Sequence, residues 1–318
     1  MFSVANDVHL IRSNIWSPQL KHALDDELLG MRYVKMLEGF PDGTTFNIPS
    51  IGQAEVYDYV EGQAVGYNSM DTGNFTFTIT DYKASGMYIT EKMKQDTFYL
   101  NELVSSFVPK QHRALMKAME IDILDCGPNG QTASDPNQIN GADHRWVGSG
   151  TSEAIAPVDF ALARYALAKA NVPLTNLVAL VDPSVEYTLS TLTNLVNVSN
   201  NKAWEGIVRD GMSTGLRFKM NIYGFDVYVS QNLKSGIAES VTGVGGARTT
   251  TVGVANLFFS AAADVLPFVG AIRQQPKVDS EYNKDLQREE YITTCRYGFK
   301  LYRPENLCTV ITDTNVVS

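Results

Sequence analysis

Long apolar runs, a cysteine framework and surplus positive charge are all missing from this chain. No stretch reaches the twenty or so apolar residues that span a bilayer, so no membrane partner is expected. The opening MFSVANDVHLIRSN lacks the charged-then-apolar layout of a secretory signal. Cys126, Cys295 and Cys308 are odd in number and far apart. That argues against a disulfide framework and for synthesis in a reducing cytoplasm. With 26 Lys and Arg against 35 Asp and Glu, the net charge of -9 excludes a protein whose main task is gripping nucleic-acid phosphates. The nearest basic cluster, Lys110, His112, Arg113 and Lys117, reads as one solvated helix face. Charged residues make up only 19%, below the usual quarter or so. A deficit of charge suits a chain that covers much of its surface with protein.

Catalytic patterns are missing as well. His9, His22, His112 and His144 are scattered, with no two at metal-ligand spacing. Asp143-His144 lies near Ser149 and Ser152, but no Gly-x-Ser-x-Gly elbow is present, and adjacent Asp and His cannot easily aim at one another. Gly243-Val244-Gly245-Gly246 lacks the following helix and the later acidic residue of a dinucleotide loop, and there is no Walker lysine. Asp25, Asp26 and Glu27 read as a solvated helix start, and Trp16, Trp146 and Trp204 as packing anchors. Nothing joins a nucleophile, a base and an orienting group. The expectation is a non-enzyme with no cofactor and no metal.

What is present is a core and an unusual order of elements. At 318 residues and 44% hydrophobic content, the chain can bury a substantial core in one large domain or two. Residues 45–91 read as two strands joined by a polar turn. The returning arm alternates Phe75, Phe77 and Ile79 with Thr76, Thr78 and Thr80, the period of a strand with one buried face. The outgoing arm carries Phe46, Ile48 and Ile51, then Val56, Tyr57, Tyr59 and Val60, beyond a Pro49 suited to an edge. Gly66, Asn68, Ser69, Asp71 and Gly73 form the turn. Arms of about fifteen residues would extend roughly 50 Å. A lone two-stranded ribbon is marginal in water, so this one needs a surface to lie on, in part another molecule's.

Around the ribbon, an apolar N-terminal arm precedes a helix capped by Ser17-Pro18 and carrying Leu20, Leu24, Leu28 and Met31. From Met93 to Asp125 apolar residues recur at three and four, predicting a helix of roughly 45 Å that Pro109 kinks or splits. Gly127-Pro128-Asn129-Gly130 then opens a loop that runs to His144. A helix is expected over 152–171, a strand over Leu177–Val181 and a helix capped by Asp182-Pro183. Alternation over 216–222 and again from Phe225 places a hairpin at Tyr223-Gly224. Residues 234–252 read as a loop and Asn256 to Ser260 and Val265 to Ile272 as strands. A final pair, 291–302 and 307–312, is joined by Arg303-Pro304-Glu305-Asn306.

Arm, ribbon, long helix, mixed α/β region and closing strands, in that order, resemble the major capsid proteins of tailed double-stranded-DNA phages, the Hong Kong 97-like fold. FNIPSIGQAEVYDYVEGQAVGYNSMDTGNFTFTITDYKASGMYI is similar to that family's extended loop. GFDVYVSQNL, ANLFFSAAADVLPFVGAI and CRYGFKLYRPENLCTVIT are similar to its later strands. The resemblance implies an α+β fold with an N-terminal arm (1–44), an extended loop (45–91), a peripheral domain around a spine helix (92–144 and 285–318) and an axial domain (145–284).

The implied function is self-assembly into pentamers and hexamers that close an icosahedral shell around the phage genome, in virions assembled in the host cytoplasm. The implied partners are further copies of the chain, a portal, a scaffold or cement protein, and packaged double-stranded DNA held without sequence specificity. The acidic charge would limit sticking to that DNA. The inter-subunit contact candidates are Trp16, Phe46, Ile48, Tyr57, Tyr59, Phe75, Phe77 and Ile79. Some family members cross-link the ribbon through a lysine, but none occurs between Lys35 and Lys83. Others carry a cleaved scaffolding segment; with Met1 opening the arm, a separate scaffold or none is expected. Two alternatives stay open at this point, an encapsulin-like compartment of the same fold and a soluble α/β enzyme.

Overall fold

The computed structural model describes residues 28–38, 45–51, 56, 58, 61–63, 72–96, 100–191, 221–243 and 246–314. The expected N-terminal helix and the first part of the 216–222 strand lie outside these. A 3-10 turn, Gly30–Tyr33, leads into β1 (Val34–Met36). The ribbon strands β2 (Thr45–Ile51) and β3 (Thr72–Thr78) follow, and the chain runs on into β4 (Asp81–Thr90). Next come α1 (Glu91–Asp96), α2 (Leu100–Gly130) and β5 (Arg145–Val147). Then follow α3 (Pro157–Lys169), β6 (Leu177–Val181), α4 (Pro183–Thr191), β7 (Asn221–Ile222) and β8 (Phe225–Val229). The chain ends in β9 (Ile237–Gly243), β10 (Gly246–Ser260), β11 (Phe268–Asn283), β12 (Arg288–Leu301) and β13 (Cys308–Asp313).

Two sheets carry the fold. The first runs β1-β11-β12-β4, with β12 antiparallel to both neighbours. The second runs β5-β13-β10-β6-β8-β7, with β9 hydrogen-bonded to β10. In the second, β6 is a run of five buried residues and β10 ends in eight, as strands covered on both faces require. Alternate side chains divide between two cores. Phe258, Ala179 and Val181 face Phe160, Leu167 and Leu189 of the helices α3 and α4. Leu257, Phe259, Val178 and Leu180 face Ile123 and Leu124 of α2 together with Val34, Phe268 and Leu301 of the first sheet. That second core joins the two sheets. In the first core Phe160, Phe225 and Phe258 meet edge to face, with centroids 5.1 to 6.3 Å apart.

Local signals account for several elements. Asp182 Oδ2 accepts the Ser184 N–H at 2.9 Å, capping α4 as expected. Tyr223 and Gly224 both have positive φ and join the paired residues Ile222 and Phe225, the two-residue hairpin read from the sequence. α3 starts at Pro157 rather than at residue 152, because Ser152 takes a left-handed φ of 54° in a preceding 3-10 turn. Pro157 suits a first helical turn, and Asp159 reaches back to the Ala156 N–H at 2.8 Å.

Other expectations are corrected. Of the kink or split expected at Pro109, the split is absent, and α2 does not yield to a loop at Gly127; it contains Pro109 and Pro128 and ends at Gly130. An internal proline costs a helix about 3 kcal/mol. Burial of Leu115, Met119, Ile123 and Leu124 outweighs it at roughly 1.5–3 kcal/mol per side chain. The glycines serve close approach: a Cβ at Gly130 would sit 2.7 Å from Leu301 Cβ, and one at Gly127 3.0 Å from a Leu307 methyl. Residues 234–252, read as a loop, are mainly β9 and the start of β10, paired antiparallel. Strands β12 and β13, read as a pair, lie in different sheets. The expected domain boundary at 284/285 falls inside the β11–β12 hairpin. β11 belongs with β12 and β4, while β13 belongs with β10 and β5.

Candidate assembly surface

Among the described residues the ribbon strands β2 and β3 pair only with each other, over seven residues each. Phe46 stands opposite Phe77 and Ile48 opposite Phe75, so all four share one face. The other face is polar, with Thr76 donating to Asn47 Oδ1 at 3.1 Å and the Thr45 and Thr78 hydroxyls 3.4 Å apart. Exposure changes along the apolar face. Phe77 and Ile79, at the root, are 0% and 3% exposed and pack on Val269 and Ala271 of β11. Phe46, Ile48 and Phe75 are half-buried. Further out, Val56 is 95% exposed.

Of the contact candidates, Phe77 and Ile79 are buried in the chain's own core. Phe46, Ile48 and Phe75 keep part of their surface open. Trp16, Tyr57 and Tyr59 lie outside the described residues.

Side chains from the first sheet lock the ribbon root. The Lys300 ammonium donates to the Thr76 carbonyl at 2.9 Å and lies 5.0 Å from the centre of the Phe75 ring, a cation–π contact worth about 0.5–1 kcal/mol where exposed. Tyr302 meets the same ring edge to face at 5.0 Å. Opposite the root stands Gly298, where a Cβ would come 3.1 Å from both Ile79 Cα and the Thr78 oxygen. The ribbon crosses β12 at the point where a side chain is missing.

A second anchor holds the segment that follows the N-terminal arm. The Glu120 carboxylate on α2, 0% exposed, accepts the Leu29 N–H at 2.8 Å and the Gly30 N–H at 2.7 Å. Charge-assisted bonds of this kind are about twice as strong as neutral ones. Tyr33 then packs on Phe259 with centroids 5.0 Å apart, and burial pushes its hydroxyl pKa up to about 12.

The first sheet also has a bare face. Thr293, Cys295 and Tyr297 turn towards α2, where Tyr297 donates to Asp122 at 2.6 Å. Burial, then that bond, raises the Tyr297 hydroxyl pKa. On the opposite face Tyr82 is 61% exposed, and Tyr88 and Ile292 are largely exposed too. Arg288 stacks over Tyr88 at 4.6 Å. The sequence reading missed these residues, although Tyr82-x-Ala84-x-Gly86-x-Tyr88 alternates as a strand with one open face should. It also missed Glu120, Gly298 and Lys300, whose partners lie far away in the chain.

The Asp-His-Ser constellation does not assemble. The His144 Nδ1 meets the Ala142 oxygen at 3.0 Å, while Asp143 accepts from Gln138 at 2.8 Å. Asp159 is buried and bonded to the Trp146 indole N–H at 3.2 Å and the Ser149 N–H at 3.1 Å; burial raises its carboxyl pKa. Arg145 and Glu239 form a buried ion pair between β5 and β9. Burial also raises the thiol pKa values of Cys126, Cys295 and Cys308, all unpaired. Among the described residues no cluster of three or more His, Cys, Asp or Glu could hold a metal ion, and no helix is long and apolar enough to cross a membrane. The geometry presents surfaces for contact.

A family model of phage capsid proteins matches residues 74–310, from the returning ribbon strand to β13. The chain belongs to the phage capsid protein family. Its fold is the Hong Kong 97-like capsid fold, as solved structures bear out. One from Mycobacterium phage Che8 has a TM-score of 0.68 at 16% identity, covering 93% of this chain and 96% of that one. The capsid structure of the cyanophage P-SCSP1u gives 0.71 at 14% identity, over 95% and 93%. A capsid of the native GTA particle gives 0.62 at 10% identity, over 98% of each. No curated protein matches the sequence significantly. This capsid protein is a major shell protein of the tailed-phage kind, located in the virion capsid, and the compartment and enzyme alternatives are not favoured.

Proposed function

We propose that this capsid protein assembles into pentamers and hexamers that close an icosahedral shell around double-stranded DNA, with the ribbon as the clasp between subunits. The observation that carries the clasp is the apolar row Phe46, Ile48 and Phe75, half-buried on a two-stranded ribbon whose strands, among the described residues, hydrogen-bond to no third strand. A neighbouring subunit that buries the remainder gains about 25 cal/mol for each Å² of apolar surface. With no lysine between Lys35 and Lys83, the clasp holds by strand contacts and buried area, without a covalent cross-link. Tyr57, Tyr59 and the arm with Trp16 extend the same contact. The first sheet with α2 corresponds to the peripheral domain, and the second with α3 and α4 to the axial domain, with β13 included in the latter. The net charge of -9 keeps the shell from holding DNA tightly, so a portal can fill it. Assembly takes place in the host cytoplasm, with a separate scaffold protein or none.

Electron microscopy of the purified full-length protein, with sedimentation of the same sample, tests the reading. Closed shells or ring-shaped capsomers are expected. A compact monomer that persists at high concentration would overturn it.

A further inference from the structure

A cavity of about 250 Å³ opens at the carbonyl end of α2, lined by Gly130, Gln131, Asp135, Asn137, His144 and Pro304 among others. Two of its buried side chains present acceptors with nothing bonded to them. His144 is 0% exposed, with Nδ1 3.0 Å from the Ala142 carbonyl oxygen. A carbonyl only accepts, so Nδ1 carries the proton and Nε2 of the neutral ring is a lone pair. Burial lowers the ring's pKa and favours that neutral form, outweighing the Ala142 and Glu305 carbonyls, which raise it; Nε2 has no partner at hydrogen-bonding geometry. Gln131, 7% exposed, donates from its amide nitrogen to the carbonyls of His144 and Leu307 at 3.2 and 3.1 Å. Its Oε1 is thereby fixed, and it too has no partner.

The surroundings repeat this polarity. Asp135 borders the cavity and uses one oxygen, Oδ1, to accept the Asn137 N–H at 2.6 Å. The last turn of a 31-residue helix adds its negative pole. Each unbonded buried acceptor costs about 1–3 kcal/mol, and what the site lacks is a positively charged donor. Its volume holds a guanidinium or alkylammonium head and falls short of the 300–1,000 Å³ or so of a pocket for larger organic ligands.

We propose that this cavity is a binding site for a cationic hydrogen-bond donor of the ammonium or guanidinium class, which bonds to His144 Nε2 and Gln131 Oε1 and pairs with Asp135. The donor is either a free small cation or a Lys or Arg side chain of a second copy of the chain. The test is nitrogen NMR of the His144 ring in full-length protein, unassembled and assembled. The probes are methylguanidinium and methylammonium, with tetramethylammonium as a cation that has no N–H.

In unassembled protein the Nε2 resonance is expected to move with the first two probes and not with the third. Asp135→Asn keeps the acceptor for Asn137 and removes the charge; it should weaken binding about tenfold. For a free cation, the assembled form titrates in the same way. For a neighbour's side chain, Nε2 is already displaced on assembly, no longer titrates, and correlates with Lys or Arg nitrogens of a differently labelled copy. If Nε2 responds to neither donor, or Asp135→Asn leaves the affinity unchanged, the cavity holds ordered water alone and the proposal is overturned.

Discussion

The ribbon combines two roles that a pair of substitutions should separate. Phe77, fully buried against Val269 and Ala271, stabilises the subunit; Ile48, half-buried on the same face, keeps part of its surface open. Removing a buried Phe side chain costs about 3–5 kcal/mol. Ile48→Ser removes a side chain that is only partly covered, about 1–2 kcal/mol. For 318 residues the unfolding entropy is roughly 0.7 kcal/mol per degree. Phe77→Ala should therefore lower Tm by about 4–8 °C and Ile48→Ser by about 2–3 °C. Calorimetry on protein kept below its assembly concentration reads both values, and sedimentation at higher concentration reads assembly. Ile48→Ser is expected to fold normally and assemble poorly. A Phe77→Ala protein with unchanged Tm and no assembly would place Phe77 at the interface and refute the reasoning, as would an Ile48→Ser protein that assembled normally.

Two further outcomes follow from buried carboxylates. Glu120→Gln replaces one acceptor of the Leu29 and Gly30 amides with a donor, a loss of about 1–3 kcal/mol; hydrogen exchange at those amides should accelerate roughly 5- to 150-fold, while amides in β6 keep their protection. At Glu239, burial pushes the carboxyl pKa up, but hydrogen bonds from Arg145 and the Ser134 N–H outweigh it and hold it below the usual 4.5. The pair's contribution is then complete above pH 4.5 and fades as pH falls through the lower folded value. Glu239→Gln should cost about 3–5 kcal/mol at neutral pH and flatten the acid side of the stability curve, measured by urea unfolding against pH. An unchanged slope below pH 4.5 would remove Glu239 from the acid response.

How much was legible follows from the range of each interaction. The hairpin at Tyr223-Gly224, the cap at Asp182 and the apolar strand Leu177–Val181 are settled within a few residues, and sequence reading placed them correctly. Pro109 left a split open because its local cost is visible in the sequence, while the burial that offsets it comes from strands nearly two hundred residues later. Residues 234–252 looked like a loop because their Gly, Ser and Thr content is weak evidence for a strand. The Arg145–Glu239 pair and the register against β9 appear only once the sheet has formed. The break between β12 and β13 has a similar cause. Asn306 takes the Ser260 N–H at 2.8 Å and donates to the Ser260 and Val265 carbonyls, which fixes the chain's crossing from one sheet to the other.

By itself, then, the sequence determined the order of elements, the polar and apolar faces of the ribbon and the absence of a lysine in it, since period and composition are local properties. Only the tertiary structure decided which of the ribbon's apolar residues remain for a neighbour. It turned Phe77 and Ile79 inward and left Phe46, Ile48 and Phe75 partly open, because exposure depends on what Val269, Ala271 and the bare backbone of Gly298 bring against the root from the far end of the chain.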